Sequence, residues 1–315
     1  MRQTRARAVD DGAPGARPPL VLVSLLYLGA ASGVMIWRGI SVSPDYLLLM
    51  LVPVALASGR FVRFLGDWVP FIAIFLGYEA MRGIASRTGI PPQVDSIASL
   101  ETHLFGGHLP TTVLQNLTAD LHIGRGVDYA ATVVYFAHFV VPVLIGVTLW
   151  LTDRRLFLRF TTALLGMSFA GFVIFLLIPT APPWWAQDHG VLSGFRHVIG
   201  TTLPSAVSPY YTSLNPNPVA AFPSLHSAYP LLGFLALRRA YPRAAWLAFG
   251  WCLVVWFSVV YLGEHYVVDV LGGIALVAAT ELVMARLVVP RVAALRDPDQ
   301  TPGPAAEVAV LGRTA

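Results

Sequence analysis

The sequence predicts an all-α fold, a polytopic transmembrane helical bundle of about eight spans. Three observations lead there. Of the 315 residues, 56% are apolar and only 12% charged, against roughly 25% charged in soluble domains, and the mean hydropathy is +0.66. Apolar runs close to the ~20 residues that a spanning helix needs recur along most of the chain. The basic residues, all of them arginine, fall between those runs in alternately rich and poor segments. No polar block is long enough to fold separately. The chain therefore reads as one transmembrane domain, residues 19–290, between a disordered basic tail at 1–18 and a disordered tail at 291–315.

In chain order, Arg2, Arg5, Arg7 and Arg17 lie among Gly, Pro and Asp with no hydrophobic period. The run from Pro19 to Trp37 follows, and its length favours a span over the shorter core of a cleavable signal. Further runs lie at 45–58, 68–85, 128–151, 156–178, 222–239, 244–262 and 266–288. With the amino terminus in the cytoplasm, 16 of the 21 arginines fall on the inner side, leaving Arg38, Arg82, Arg87, Arg125 and Arg196 outside. Both termini are then cytoplasmic. His226 and His265, which open the sixth and eighth runs, share the extracytoplasmic face. Arginine to the exclusion of lysine hints at a GC-rich bacterial genome, and so at a plasma membrane.

Two outer segments are more than connections. Between Pro91 and Arg125, Val94, Ile97, Leu100, Leu104 and Phe105 recur at near-helical spacing beside Asp95, Glu101 and His103. They predict an amphipathic helix on the membrane surface, serving either as a packed cap or in lipid entry. The segment from Pro179 to Ala220 is rich in Pro, Ser, Asn and aromatics, and its Trp184-Trp185 pair reads first as an interfacial anchor.

Composition also excludes classes of function. The formal charge of +4 and pI near 9.4 are spread between apolar runs rather than gathered on one face, so no nucleic-acid partner is expected. Cys252, the single cysteine, allows neither a disulfide frame nor a thiolate metal site. Internal repeats and mid-membrane charges of the transporter kind are not apparent.

The chemistry concentrates in Ala221–Leu271. Ionisable residues beside long apolar runs are costly unless paired or functional. His265 and Asp269 are four apart, the spacing that puts two side chains on one helix face. A carboxylate on one ring nitrogen fixes the tautomer and leaves the other nitrogen as base or nucleophile. His226 opens its run just after Pro223 and Ser224, where backbone N–H groups and the helix dipole favour an anion and Ser224 and Ser227 add hydroxyls. Other readings stay open at this point: a polar anchor, a structural His/Asp bond, or two histidines and a carboxylate around zinc or iron.

Pro223-Ser224-Leu225-His226-Ser227 and Ser258-Val259-Val260-Tyr261-Leu262-Gly263-Glu264-His265-Tyr266-Val267-Val268-Asp269 resemble the second and third signature motifs of the type 2 phosphatidic acid phosphatase superfamily. Within it, Ala221–His226 and His265–Asp269 are most similar to the inositol phosphorylceramide synthase branch. Tyr78–Arg82, Glu101 with Leu104–Gly107, and Pro179–Trp184 also resemble bacterial members of that branch. The resemblance implies a six-helix phosphatase-like core. It also implies a phosphohistidine on His265, oriented by Asp269, with His226 as acid toward the leaving alkoxide and base toward the acceptor. No cofactor and no metal would be needed. The sequence departs from the superfamily in lacking the first motif's lysine and in carrying Val259 where an arginine is usual. Arg82, near the outer end of the third run, is the candidate to bind the phosphate with Ser224 and Ser227, a snorkelling anchor being its ordinary role.

Two functions follow. The first is a membrane enzyme, lipid phosphatase or headgroup phosphotransferase of inositol-phosphate type, acting on a phospholipid or polyprenyl-phosphate-type lipid. The second is a non-catalytic lipid-binding or transport protein of the same fold. His138 in the fourth run reads as a structural histidine and Glu79 as a partner for an arginine.

Overall fold

A computed structural model describes residues 18–37, 44–85, 89–138, 140–202 and 217–288. The expected tails at 1–18 and 291–315 fall outside the described residues, except for Pro18. Among the described residues the fold is all helical, with only isolated bridges between extended segments. The helices are α1 (Pro18–Trp37), α2 (Pro44–Ala57), α3 (Phe61–Ala85), α4 (Asp95–Leu104), α5 (Pro110–Asp120), α6 (Gly124–Ala137), α7 (Val140–Thr152) and α8 (Arg154–Leu177). They continue as α9 (Pro183–Asp188), α10 (Ile199–Thr202), α11 (Leu225–Ala240), α12 (Ala245–Tyr261) and α13 (Val267–Val283), which a π-helical turn extends over Met284–Val288.

By length and composition, α3, α8 and α13 with its extension can cross a membrane. The pair α6 and α7, bent by 46°, makes a fourth span if taken as one, while α1 and α12 are shorter apolar helices. The chain is a multi-pass membrane protein, and length alone does not establish eight spans. The 16 residues of α11 reach only about 24 Å at ~1.5 Å each, short of the ~30 Å hydrocarbon layer.

Two expected runs change shape for identifiable reasons. The third was read from residue 68, after Asp67, but α3 begins seven residues earlier at Phe61. Asp67 is buried inside that helix because Arg154 takes its carboxylate at 2.6 Å and Trp150 Nε1 donates to it at 3.0 Å. The run 128–151 is broken between α6 and α7. Pro142 has no N–H, and its ring would collide with the carbonyl four residues back, that of His138. The helix breaks there and leaves His138 at the bend.

At the centre lies α11, packed against α7, α8, α12 and α13. A large apolar cluster joins α1, α2, α3, α7, α8 and α11 through Trp68, Trp150, Phe157, Met167 and Leu232, and a second joins α6 and α12 through Tyr135, Val259 and Tyr261. Because α11 and α13 run alongside each other, their starts share one end of the bundle and Arg239 and Glu281 the other. Glu281 receives Arg239 at 2.6 Å and Arg159 of α8 at 2.7 Å. At the opposite end three connections are knitted together. Gln93 N donates to Pro179 O, Thr180 N to Val219 O and Ala221 N to Thr180 O, at 2.7–3.0 Å.

Candidate active site

The site forms where the starts of α11 and α13 meet. Ser224 caps α11, its hydroxyl accepting from Ser227 N at 3.3 Å, and its own N–H donates to Asp269 O at 3.0 Å. Ser227 Oγ donates to Ser224 O at 2.8 Å and contacts Val270 O at 3.3 Å. Both serines are fully buried and tie the two helix starts together. Gly273 permits that approach, since a Cβ there would collide with Ser227 Oγ and Ser224 O. Trp256 Nε1 of α12 donates to Ser227 O at 3.1 Å and fixes the turn from the third side.

His226 lies on the first turn of α11, and its Nδ1 is 3.1 Å from Nε2 of His265. The other ring nitrogen of His265, Nδ1, is 3.4 Å from Asp269 Oδ2. Spacing correctly paired His265 with Asp269, but not for the reason of a shared helix face. α13 starts at Val267, so His265 sits in the turn ahead of it. Asp269 reaches back over the helix start, and the same Oδ2 accepts from Tyr266 N at 2.8 Å. One carboxylate oxygen therefore caps the helix and faces the histidine. His265 and Asp269 are 5% and 0% exposed, and His265 Nδ1 and Asp269 Oδ1 lack a hydrogen bond of ordinary geometry. The 3.4 Å contact is longer than an ordinary hydrogen bond.

The turn carrying His265 is held on both flanks by α4 and α5. The Glu101 carboxylate of α4 accepts from Val267 N at 2.8 Å and Val268 N at 3.1 Å, covering the start of α13. Burial pushes the Glu101 carboxyl above its ordinary range, and those two N–H groups pull it partly back. On the other flank, Thr111 and Gln115 of α5 donate to Val260 O and Tyr261 O at 2.9 and 2.8 Å, satisfying carbonyls at the end of α12. Residues 262–266 span the gap between these two capped ends. Gly263 turns them with φ +76°, in contact distance of Phe195.

Arg82 is paired with Glu79 at 2.8 Å, which identifies the arginine that the sequence reading of Glu79 left unspecified, and lies within electrostatic reach of His226 and His138. Three further groups belong to the site that sequence reading missed or set aside. His138, read as structural, lies with its ring centre 4.0 Å from that of His226. Tyr135 stacks on His226 at 4.7 Å and 22°. Glu264, buried beside the nucleophile candidate, contacts Tyr135 Oη at 3.5 Å and His197 Nε2 at 3.3 Å. Trp184 stacks on His197 at 5.0 Å, and its backbone N donates to Gly263 O, so it packs beside the turn that carries His265. Only the i, i+3 spacing of Tyr135 and His138 and the adjacency of Glu264 to His265 could have flagged them. Among the described residues no group of three or more His, Cys, Asp or Glu side chains is arranged to hold a metal ion.

Comparison with known proteins covers this region. The profile of the PAP2 superfamily matches residues 96–283. A phosphoinositol dihydroceramide synthase of Bacteroides thetaiotaomicron is 28% identical over 226 residues, 66% of this chain and 72% of that protein. An inositol phosphorylceramide synthase of Candida albicans is 29% identical over 192 residues, 57% of this chain. The inositol phosphorylceramide synthase catalytic subunit of Schizosaccharomyces pombe is 26% identical over 209 residues, 63% of this chain. The matches span only 39% and 48% of those two fungal proteins. No solved structure matches. The matched stretch runs from α4 to the end of α13 and contains His226, His265 and Asp269 in the arrangement just described, and the chain belongs to the PAP2 superfamily, with inositol phosphorylceramide synthases among its relatives.

Proposed function

We propose that the protein is a membrane phosphotransferase that moves an inositol-phosphate-type headgroup from a phospholipid to the hydroxyl of a ceramide-like lipid, at the extracytoplasmic face. The observation that carries this reading is the facing pair, His226 Nδ1 to His265 Nε2 at 3.1 Å, with Asp269 behind His265. The names of the relatives supply the inositol-phosphate group and the ceramide acceptor, and the phospholipid donor is our own reading.

Nε2 of His265 attacks phosphorus and the P–O bond to the leaving alkoxide breaks. His226, protonated at Nδ1, gives that oxygen its proton. Asp269 holds the proton on His265 Nδ1 and stabilises the charge that the ring acquires. In the second half, His226 takes the acceptor's proton, the acceptor oxygen attacks phosphorus and the P–N bond breaks. A phosphoryl group between the rings needs more room than 3.1 Å, so the histidines part during turnover. The phosphate sits over the start of α11, with Ser224 and Ser227 shaping the turn beneath it and Arg82 supplying the cation that the usual motif lysine would give. The arginine-rich end of the bundle, with Arg159 and Arg239, lies opposite the histidines and supports the extracytoplasmic placement.

The test is turnover in vesicles of headgroup-labelled phosphatidylinositol with a ceramide, in the presence of chelator. Label is expected in a ceramide product, and His265→Ala is expected to lower the rate by at least about 10³-fold while the variant folds normally. Release of the label to water alone would make the protein a phosphatase. Turnover retained in His265→Ala would end the phosphohistidine reading, and loss of wild-type turnover to chelator would end the metal-free one.

A further inference from the structure

The two outer helices invert the usual rule that polar residues face out. On α5, Thr111, Gln115 and Thr118 are buried and turned to the protein, where they bond Val260 O, Tyr261 O and the Tyr261 hydroxyl. Val113, Leu117 and Leu121, at i, i+4 and i+8, are 49%, 52% and 58% exposed. Asn116 and Asp120 are exposed on a third sector between them. At 100° per residue, implied by ~3.6 residues per turn, the three sectors follow one another around the helix as protein-facing, polar and apolar. On α4 the same division recurs. Ala98 and Glu101 are buried, Ser96, Ser99 and His103 are exposed on one sector, and Leu100 and Leu104 are 47% and 60% exposed on another.

Neither helix, at 10 and 11 residues, can cross a bilayer. A helix on the surface of a soluble protein needs two faces, and a helix sealed inside protein needs one. Three faces fit a helix lying where protein, water and hydrocarbon meet. The helices packed beside α5 also carry exposed apolar residues, Tyr129 and Val133 on α6 and Phe257 on α12. We propose that α4 and α5 are interfacial helices whose apolar sectors, Leu100 with Leu104 and Val113 with Leu117, sit among lipid acyl chains while Ser99, His103 and Asn116 face water. Their third faces hold the turn that carries His265, so the bilayer edge and the histidine site share one rigid cap. The proposal stands on polarity and exposure alone, independently of the reaction.

The test uses the full chain with Cys252→Ala, which removes the single cysteine, and one new cysteine at a time: Leu117→Cys and Leu100→Cys for the apolar sectors, Asn116→Cys and Ser99→Cys for the polar ones. Each is reconstituted in phosphatidylcholine vesicles and reacted with a membrane-impermeant maleimide. Neighbouring positions on one helix share orientation, so the ratio between sectors is the readout. The apolar-sector cysteines are expected to react about tenfold or more slowly than the polar-sector ones, and nitroxides placed there to collide with oxygen rather than with a water-soluble nickel chelate. Equal rates in both sectors, fast or slow, would overturn the proposal. So would protection that disappears when the protein is diluted in lipid, which would assign the apolar face to a second copy of the chain.

Discussion

The two ends of the bundle treat buried charge in opposite ways. At the arginine end, Glu281 is clamped between Arg159 and Arg239, and Asp67 takes Arg154 through both oxygens with Trp150 beside it. These pairs join α3 to α7 and α8, and α8 to α11 and α13. At the histidine end, Asp269 is more deeply buried than either acid, yet Oδ1 has no hydrogen bond and Oδ2 shares itself between Tyr266 N and a long contact to His265. Leaving a buried carboxylate incompletely satisfied costs stability. The contrast is that one end fastens helices through fully paired acids, whereas the other holds its acid against a histidine, the arrangement that the proposed reaction would use. Glu101 and the α5 side chains hold that second end in place without satisfying it.

Four substitutions can break or sharpen this contrast. The largest effect is expected from Asp269→Asn, which keeps an oxygen for Tyr266 N but removes the charge behind His265. Steady-state turnover should fall by about 10²–10⁴-fold with little change in thermal midpoint. An equal loss of stability and activity would make Asp269 a fastener like Glu281. Next, Gly273→Ala would push a methyl into Ser227 Oγ and Ser224 O. Overpacking there should cost about 1–3 kcal/mol in denaturant unfolding and lower turnover by splaying the two helix starts; an undisturbed variant would mean that the starts are not rigidly joined. Glu281→Gln, at the other end, should lower stability by about 1–2 kcal/mol while folded molecules turn over at the normal rate. Reduced turnover per folded molecule would show that the two ends are coupled.

The smallest effect is pH-dependent and concerns Glu101. Its carboxyl is raised above the ordinary 4.5, so the folded state holds the proton more tightly than the unfolded one. The stability tied to that proton is full below 4.5 and is lost as pH rises through the raised folded value. The wild-type thermal midpoint should therefore fall over that window relative to Glu101→Gln, which carries no such proton. Parallel pH profiles for the two proteins would show that ionised Glu101 is fully compensated by Val267 N and Val268 N.

Much of the site was legible because it is local in sequence. His226 beside Ser224 announces a capped helix start, and the spacing of His265 and Asp269 announces a pair, although the pair is made across a helix cap rather than along a helix face. Other contributions are not local. Glu101 lies 166 residues from Val267, whose N–H it accepts, and Gln115 lies 146 residues from Tyr261. A polar residue in an amphipathic stretch reads as water-facing until something is found to bond it, and that partner is supplied by another helix. The same holds for Asp67, which looked like the edge of a span and is instead inside one, neutralised by Arg154. His138 read as a structural histidine, with a cavity-facing role as the alternative; at the bend between α6 and α7 its ring centre lies 4.0 Å from that of His226, a neighbour that another helix supplies.

By itself the sequence determined the class of the molecule, the order of its apolar helices, the residues of the histidine motif and the separation of arginine from histidine along the chain. Hydropathy, spacing and charge are properties of neighbours, and they survive without coordinates. Only the tertiary structure decided which helix starts meet, that one oxygen of Asp269 serves both cap and histidine, and that α4 and α5 turn polar faces inward. Those features depend on backbone N–H and C=O groups exposed at helix ends. Whether such a group is met by water, lipid or a distant side chain is settled only when the helices pack.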